Sequence, residues 1–424
     1  MERTEKKYQT YVQILKEELV PAMGCTEPIA IAYCAAKARK VLEQKPDKVV
    51  IEVSGNIIKN VKSVIVPNTG GLKGIEASAA AGIIAGKEEK ILEVISEVTE
   101  DQKKQIKEYL EEAEFQVIPS SSDVVFDIVV TVYAKESYAK VRIINFHTNV
   151  VFIEKDGVTI YEAGTKTSNT VLSDRSLLNV EDIIAFADSV EISDVKEVLE
   201  RQVSYNMAIA KEGMKGQYGA NIGKVLSSTY GDDVKVRAKA MAAAGSDARM
   251  SGCELPVIIN SGSGNQGMTA SIPVVVYAEE LGKTEEELYR ALVVSNLITI
   301  HLKTGIGRLS AYCGAVSAGC GAGCGIAYLN GGRYDEIAHT LVNAVAIASG
   351  IVCDGAKPSC AAKIGASVDA GLMGYYMYVN GQQFRDGDGI VKKGVENTIA
   401  NVSRLGQVGM RETDKEIIKI MVGQ

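Results

Sequence analysis

The sequence predicts an α+β fold, in which an N-terminal α/β unit with a mixed sheet joins a mainly helical C-terminal domain of buried helices. Short β-branched runs separated by polar turns occupy residues 46–165. Strand signals nearly vanish beyond about residue 195, where helical patterns alternate with Gly- and Ser-rich breaks. The absence of Trp, the six Phe and the 41 Gly suit closely packed helices and argue against an all-β sandwich.

Residues 1–45 are expected to form two helices that pack on the C-terminal domain. Apolar residues recur at helical spacing over residues 4–20, and this pattern ends before a proline. The segment AMGCTEPIAIAYCAAKARKVLEQ restarts a helix, with Thr26 as its expected N-cap and Pro28 in its first turn. Cys25 should then lie just ahead of this helix, where the positive end of the helix dipole favours a thiolate.

An α/β domain is expected over residues 46–195. Its predicted strands are KVVIEVSG, KSVIVPN, FQVIPS, DIVVTVYA, AKVRIINFH and NVVFIEKDG, and its predicted helices are LKGIEASAAAGIIAG and KILEVISEVTEDQKKQIKEYLEEA. A polar loop over residues 163–178 leads to the helix NVEDIIAFADSV. The remaining residues, 196–424, should form a helical domain whose helices, such as GGRYDEIAHTLVNAVAIASGIV, are apolar nearly all round and therefore buried.

Composition and charge exclude several classes of partner. The formal charge of −7 and the lack of a Lys/Arg-dense run argue against nucleic acid. No run of 18 or more apolar residues avoids charge and Gly clusters, so no membrane span is expected. The first 19 residues predict a charged amphipathic helix rather than a signal peptide, which indicates a cytoplasmic protein. Eight cysteines in such a chain are expected to be free thiols, metal ligands or catalytic groups.

The cysteines divide into two groups by their neighbours. One group lies among Ala, Gly and apolar residues and is expected to consist of buried small hydrophobes, namely Cys34, Cys253, Cys320 and Cys324. The other group adjoins turn-forming or polar residues and comprises Cys25, Cys313, Cys353 and Cys360. None forms the Cys-x-x-Cys pair of zinc ribbons. Three or four cysteines on separate loops suit an iron–sulfur cluster, and unliganded thiols explain them equally well.

The segment SGSGNQG contains a G-x-G-x-x-G pattern at residues 261–267. A dinucleotide site would need a βαβ unit around it, whereas the neighbourhood is otherwise helical. A turn that presents backbone N–H groups to a carboxylate is the favoured interpretation. Its candidate substrate-binding residues are Ser261, Ser263, Asn265 and Gln266.

A second turn, VPNTGGLKGIEAS, is expected to expose Asn68, Thr69 and Lys73, although an ordinary strand-to-helix connection explains it equally well. The histidines are weaker candidates. We expect His147, in a strand, and His339, in a helix, to be structural, and we keep His301 because it lies near Cys313.

The motifs GCTEP, VPNTGG, SGSGNQG and VCDGAKPSC, in this order over nearly the whole chain, resemble the L-cysteine desulfidase family. That family is related to the α-chain of iron–sulfur L-serine dehydratases. The resemblance implies an oxygen-sensitive [4Fe-4S] cluster, no pyridoxal phosphate, and conversion of L-cysteine to pyruvate, ammonia and sulfide. It implies Cys25, Cys313 and Cys353 as the essential cysteines. Cys360 matches a further dehydratase cysteine, so Cys25 and Cys360 remain alternatives for the third cluster ligand.

Two departures from the dehydratases favour the desulfidase. The dehydratases carry a C-terminal cysteine, whereas this chain ends MVGQ. They also carry a histidine base in a Gly-His-Gly-Thr-Asp turn, and the matching turn here is GLKGIE, with Lys73 near the histidine position.

The reaction requires a base for the Cα proton and a Lewis acid for the leaving group. A three-cysteine cluster would leave one thiophilic iron free for that group. A desolvated Lys73 is the hypothetical base, and the 261–267 turn with Asn68 and Thr69 would hold the carboxylate. The alternatives are an L-serine dehydratase, an NAD(P)-binding oxidoreductase and a non-catalytic metal-binding protein. The expected partner is a small amino acid, and the apolar helical half is compatible with a homodimer.

Overall fold

The computed structural model of the chain describes residues 1–163 and 172–423, so part of the predicted loop at 163–178 lies outside the described residues. The N-terminal elements are α1 (Lys6–Glu18), β1 (Pro21–Met23) and α2 (Thr26–Leu42). Helix α1 packs Tyr8 and Tyr11 edge-on against Phe186 of the helical part. The N-cap of α2 is Cys25 rather than the predicted Thr26, whose hydroxyl donates instead to the Gly262 carbonyl oxygen at 2.9 Å.

The predicted mixed sheet is present, and α2 packs on its central strands. The strands are β2 (Lys48–Val53), β3 (Glu114–Pro119), β4 (Asp127–Ala134), β5 (Ser137–Ile144), β6 (Val150–Lys155) and β7 (Val158–Glu162). Their spatial order is β3-β2-β4-β5-β6-β7, with β2 and β3 parallel and the other neighbours antiparallel. The intervening helices are α3 (Gly55–Val61), α4 (Gly74–Ala85), a 3₁₀ turn (Glu88–Glu93) and α5 (Glu100–Glu112).

Several predicted boundaries in this part are wrong. Residues 62–68 form a loop rather than a strand, and only Ile65 makes an isolated bridge, to Lys73. The valines of this loop are buried although they do not pair with a strand. Their β-branched side chains therefore indicate burial and not a β-strand. The strand predicted to contain His147 ends at residue 144, which leaves the imidazole in a turn. The helix predicted over 90–113 is broken, since Ile91 has φ +53° and α5 begins at a separate Thr99 capping box.

The C-terminal part is helical, as predicted. After a 3₁₀ turn (Arg175–Leu177), its elements are α6 (Val180–Ser189), α7 (Ile192–Lys215), α8 (Ile222–Tyr230), α9 (Val234–Met250), β8 (Pro256–Ile258), α10 (Gly264–Glu280), α11 (Glu285–Ile306), α12 (Gly314–Leu329), α13 (Tyr334–Ala348), α14 (Cys360–Val379), α15 (Val395–Arg404), a π-helical turn (Leu405–Gly409) and α16 (Arg411–Val422). Strand β8 pairs antiparallel with β1, which ties the segment before α2 to the segment before α10. No helix in the described ranges is long and apolar enough to cross a membrane.

Small residues let the central helices approach closely. A Cβ at Gly371 of α14 would lie 2.2 Å from the Gly319 carbonyl oxygen of α12. Cys320 and Cys324 on α12 are fully buried in this packing, and Cys34 and Cys253 are also buried, as predicted for small hydrophobes. The abundance of Gly and Ala in the sequence is therefore a packing requirement.

The contact between α2 and α4 gives a test of this packing. A Cβ at Gly82 would lie 2.1 Å from the Ala32 carbonyl oxygen. We expect Gly82→Ala to lower the free energy of unfolding by about 1–3 kcal/mol in chemical denaturation, because the two backbones must separate. Gly365→Ala is the matched control, since its Cβ meets only the flexible Leu226 Cδ1 at 3.3 Å. It should be neutral or stabilising by up to about 1 kcal/mol, and equal losses in both variants would contradict the account.

Candidate active site

Four cysteines predicted as metal ligands line one cavity of about 100 Å³. Cys25 is the N-cap of α2, Cys313 is the N-cap of α12, and Cys360 is the first residue of α14. Cys353 lies in the loop between α13 and α14. Three helices therefore begin at the same space, and the positive ends of their dipoles favour negative charge there.

Backbone hydrogen bonds set the spacing of two of these cysteines. The Cys313 N–H donates to the Ile351 carbonyl oxygen at 3.1 Å, and the Cys353 N–H donates to the Ala311 carbonyl oxygen at 2.7 Å. An isolated antiparallel bridge joins Tyr312 to Val352 between them. The loops before α12 and α14 are thus held as a short ladder that carries one cysteine on each side.

Cys25 belongs to a buried polar network. Its thiol donates to Glu27 Oε2 at 3.3 Å, while Asn60 Nδ2 donates to Glu27 Oε1 at 3.1 Å. Burial opposes the ionisation of Glu27, yet the adjacent His147 imidazole, whose Nε2 is 4.0 Å from Oε1, outweighs it and holds the pKa at about 2. Burial, followed by the Glu27 charge, raises the pKa of the Cys25 thiol well above its usual value. In the protein alone, desolvation therefore outweighs the helix dipole that predicted a thiolate.

The donor set fits an iron–sulfur cluster better than a single ion. In the described part of the chain, no three His, Cys, Asp or Glu side chains converge closely enough for one metal ion. A cluster instead takes thiolates that bond different irons, and four sulfur donors surround this cavity. Glycine admits the close backbone approach, since a Cβ at Gly355 would lie 2.2 Å from the Lys59 carbonyl oxygen. Soft sulfur ligands suit iron rather than magnesium or calcium.

The structure brings most of the 261–267 turn to this cavity. Ser263, Asn265 and Gln266 line it, and Asn265 Oδ1 accepts from Arg249 Nη1 at 3.0 Å. Gln266 is 5% exposed, and its Oε1 has no hydrogen-bond partner among the described residues. Ser261 does not line the cavity, and its hydroxyl donates to Asn260 Oδ1 at 2.9 Å.

The G-x-G-x-x-G pattern lacks the setting of a dinucleotide site. The three-residue strand β8 precedes it and pairs antiparallel with β1 in a two-stranded sheet. The βαβ unit that a dinucleotide fold requires is therefore not formed around this turn by the described residues. What the turn does provide is the N-terminus of α10 and three polar side chains at the cysteine cavity.

The structure does not bring the VPNTGG residues to the cavity. Asn68 and Thr69 are buried rather than exposed as predicted, and both are satisfied within the loop. Asn68 Nδ2 donates to the Ile95 carbonyl oxygen at 2.8 Å, and Thr69 Oγ1 donates to the Val66 carbonyl oxygen at 2.7 Å. Lys73 is exposed at the start of α4 and does not line the cavity, so it lacks the desolvation that its role as a base assumed.

Cations at the cavity, three of them buried, were missed in the sequence analysis. Lys59, Arg249, Lys303 and Arg308 line it together with Glu27. Lys303 is 4% exposed, and its ammonium group forms no hydrogen bond or ion pair with any described residue. Burial lowers its pKa to about 8. His301, the residue retained from this helix, instead contacts Glu396 at 2.7 Å. The available signal was a lone lysine inside the apolar run ITIHLK.

Comparisons with known proteins cover most or all of the chain. The family model described as Serine dehydratase alpha chain matches residues 89–419. A UPF0597 protein of Desulfitobacterium hafniense is 69% identical over 100% of this chain and 99% of its own length. UPF0597 proteins of Lachnoclostridium phytofermentans and Treponema denticola are 52% and 48% identical, over 98% and 100% of this chain and 100% of theirs. The chain therefore belongs to the serine dehydratase alpha chain family.

Proposed function

We propose that the protein is an L-cysteine desulfidase, which eliminates sulfide from L-cysteine to give pyruvate and ammonia with the aid of a [4Fe-4S] cluster. The observation that carries the proposal is the convergence of Cys25, Cys313, Cys353 and Cys360 on one cavity that also contains an unpaired lysine and the 261–267 turn. Membership of a dehydratase family supports the same class of elimination chemistry.

Cys313 and Cys353 would hold the cluster, because the backbone ladder fixes them next to each other. Cys25 and Cys360 are the two candidates for a third thiolate, since both line the cavity and pack into one small apolar cluster with Met250. The cluster, when bound, supplies a thiophilic Lewis-acidic iron for the leaving group.

The protein's own groups would bind and orient the amino acid. Ser263, Asn265 and the N–H groups at the start of α10 suit the substrate carboxylate. The unpartnered Gln266 Oε1 and the ionised Glu27 are acceptors for the substrate ammonium group. Asn68 and Thr69 leave the scheme, because their hydrogen bonds are already used in their loop.

A second candidate function is L-serine dehydration, which the matching family model favours. The two functions differ in the leaving group rather than in the cavity. The desulfidase is preferred because the turn that carries a histidine base in the dehydratases reads GLKGIE here. The lysine of this turn is exposed and does not line the cavity, so the base for the Cα proton, which either elimination requires, comes from another residue.

Turnover separates these functions. After anaerobic reconstitution with iron and sulfide, we expect L-cysteine to yield equal amounts of sulfide and pyruvate, and L-serine to yield less pyruvate in direct competition. Cys353→Ala should abolish both products, whereas Cys320→Ala, at a buried position outside the cavity, should retain them. Preferential turnover of L-serine would establish the dehydratase instead, and no turnover of either amino acid by cluster-loaded protein would refute both.

A Lys73 variant tests independently whether this lysine is the catalytic base. Because it is exposed and remote from the cavity lining, Lys73→Met should keep more than about half of the wild-type kcat, well short of the roughly hundredfold loss typical of a removed base. The measurement is pyruvate formation at saturating L-cysteine. A loss of a hundredfold or more would return Lys73 to the mechanism.

The third thiolate can be assigned by comparing two matched variants. Cys25→Ser and Cys360→Ser should differ in retained iron and in cluster absorbance after reconstitution, because a three-thiolate cluster uses only one of these positions. The variant that loses iron identifies the ligand. Full iron in both variants and in the double variant would show that neither cysteine binds the cluster.

A further inference from the structure

A larger cleft of about 500 Å³ adjoins the cysteine cavity. Lys303, Arg308, Leu309 and Ser310 line both spaces and so form the wall between them. The cleft also contains exposed residues of the C-terminal part, such as Gln407 and Arg411, so it opens to solvent. This geometry makes the cleft the outer approach to the cavity.

The lining of this cleft is positive although the whole chain carries a formal charge of −7. Its cations are Arg175, Lys303, Arg308 and Arg411, and its carboxylates are Glu18 and Asp414. Both carboxylates are already paired. Glu18 Oε1 accepts from Arg175 at 2.6 Å and from Arg308 at 2.8 Å, and Asp414 Oδ1 accepts from Lys59 at 2.5 Å. The field in the cleft therefore favours an incoming anion.

Lys303 is the cation without a partner on the shared wall. A buried ammonium group is costly unless it is paired, and the C-terminal end of α11 offsets only part of that cost. The neighbouring Thr304 is exposed, so the same helix turn offers a solvent-facing position for a charge. Arg308 differs, because its guanidinium is bound to Glu18 and lies 4.5 Å from the Phe146 ring centroid. The Lys303 ammonium group is therefore available to bind an anion, whereas the Arg308 guanidinium is held in place by its contacts with Glu18 and Phe146.

We propose that the outer cleft is the substrate entrance and that Lys303 binds the carboxylate of a small α-amino acid as it passes from the cleft into the cysteine cavity. This inference rests on the proposed function in one respect only: it assumes that the reaction takes place in the cysteine cavity. Within that function, Lys303 is a positioning residue that selects for a carboxylate, and an analogue of similar shape that lacks the carboxylate, such as the amino-acid amide, enters less readily.

Charge-selective alkylation tests the entrance without turnover. Iodoacetate and iodoacetamide are similar in size and differ in charge, and the partly exposed Cys353 is a target inside the cavity. In iron-free full-length protein at low salt, Lys303→Met should lower the iodoacetate/iodoacetamide rate ratio at Cys353 by about 5- to 10-fold, and high salt should shrink the difference. Peptide mass mapping measures both rates.

Two variants control this experiment. Lys303→Arg keeps the charge and should keep the ratio, and Lys104→Met removes a remote lysine whose side chain is 76% exposed and should leave the ratio unchanged. Lys303→Met should fold, because methionine replaces a buried unpaired cation without changing the shape of the side chain. If it does not fold, Lys303→Gln takes its place. An unchanged ratio in the folded variant overturns the proposal.

Turnover gives the second readout. In the reconstituted enzyme, Lys303→Met should raise the KM for L-cysteine at least tenfold while kcat falls much less, and it should leave the KM for L-cysteinamide nearly unchanged. A fall in kcat alone overturns the positioning role. If neither substrate is turned over, the proposed function fails, whereas the alkylation ratio still decides whether the cationic entrance exists.

Discussion

The short backbone ladder between residues 311–313 and 351–353 is the constraint on which the site depends. Two hydrogen bonds, which together form the Tyr312–Val352 bridge, hold the loops before α12 and α14 together. Cys313 and Cys353 therefore face one cavity although forty positions separate them in sequence. The β1–β8 pair acts in the same way on the segments before α2 and α10. These two small ladders join loops that are far apart in sequence. They thereby bring the N-termini of α2, α10, α12 and α14 to a common space.

The charge around the cysteine cavity is set by lysine and arginine side chains that are wholly or partly buried there. Of the cations that line the cavity and the cleft beside it, Lys59, Arg175 and Arg308 pair with carboxylates. Arg249 donates to the Gly24 carbonyl oxygen and to Asn265 Oδ1, whereas the buried Lys303 side chain has no such partner among the described residues. Buried cations without partners are rare in stable cores, because desolvation is costly. Here the positive ends of three helix dipoles add to the cationic side chains, and four thiol groups, which are neutral or anionic, line the same cavity. This positive surrounding would suit the proposed cluster, with its thiolate ligands, and the carboxylate of the proposed substrate.

The fold class and the sorting of the cysteines could be predicted from sequence, because both depend on local pattern. Period and composition separate the sheet from the helices, and neighbouring Ala and Gly mark the buried thiols such as Cys320. The residues 62–68 were misassigned because burial of β-branched residues does not require a strand. Lys73 was selected from the sequence, whereas the lysine that lines the cavity and lacks a side-chain partner is Lys303, and the reason for this error is different. Lys303 is buried because α11 packs against other helices, among them α12 and α15, and the lone lysine in the apolar run ITIHLK is the only local sign of that burial.

The most direct test of the central claim is the number of irons bound per chain after anaerobic reconstitution, measured in the wild type and in the double variant Cys313→Ser/Cys353→Ser. The account predicts about four irons with matching labile sulfide in the wild type, because the cavity thiols hold one [4Fe-4S] cluster. It predicts loss of nearly all of this iron in the double variant. A double variant that retains the wild-type iron content, or a wild type that binds a single ion, would contradict it.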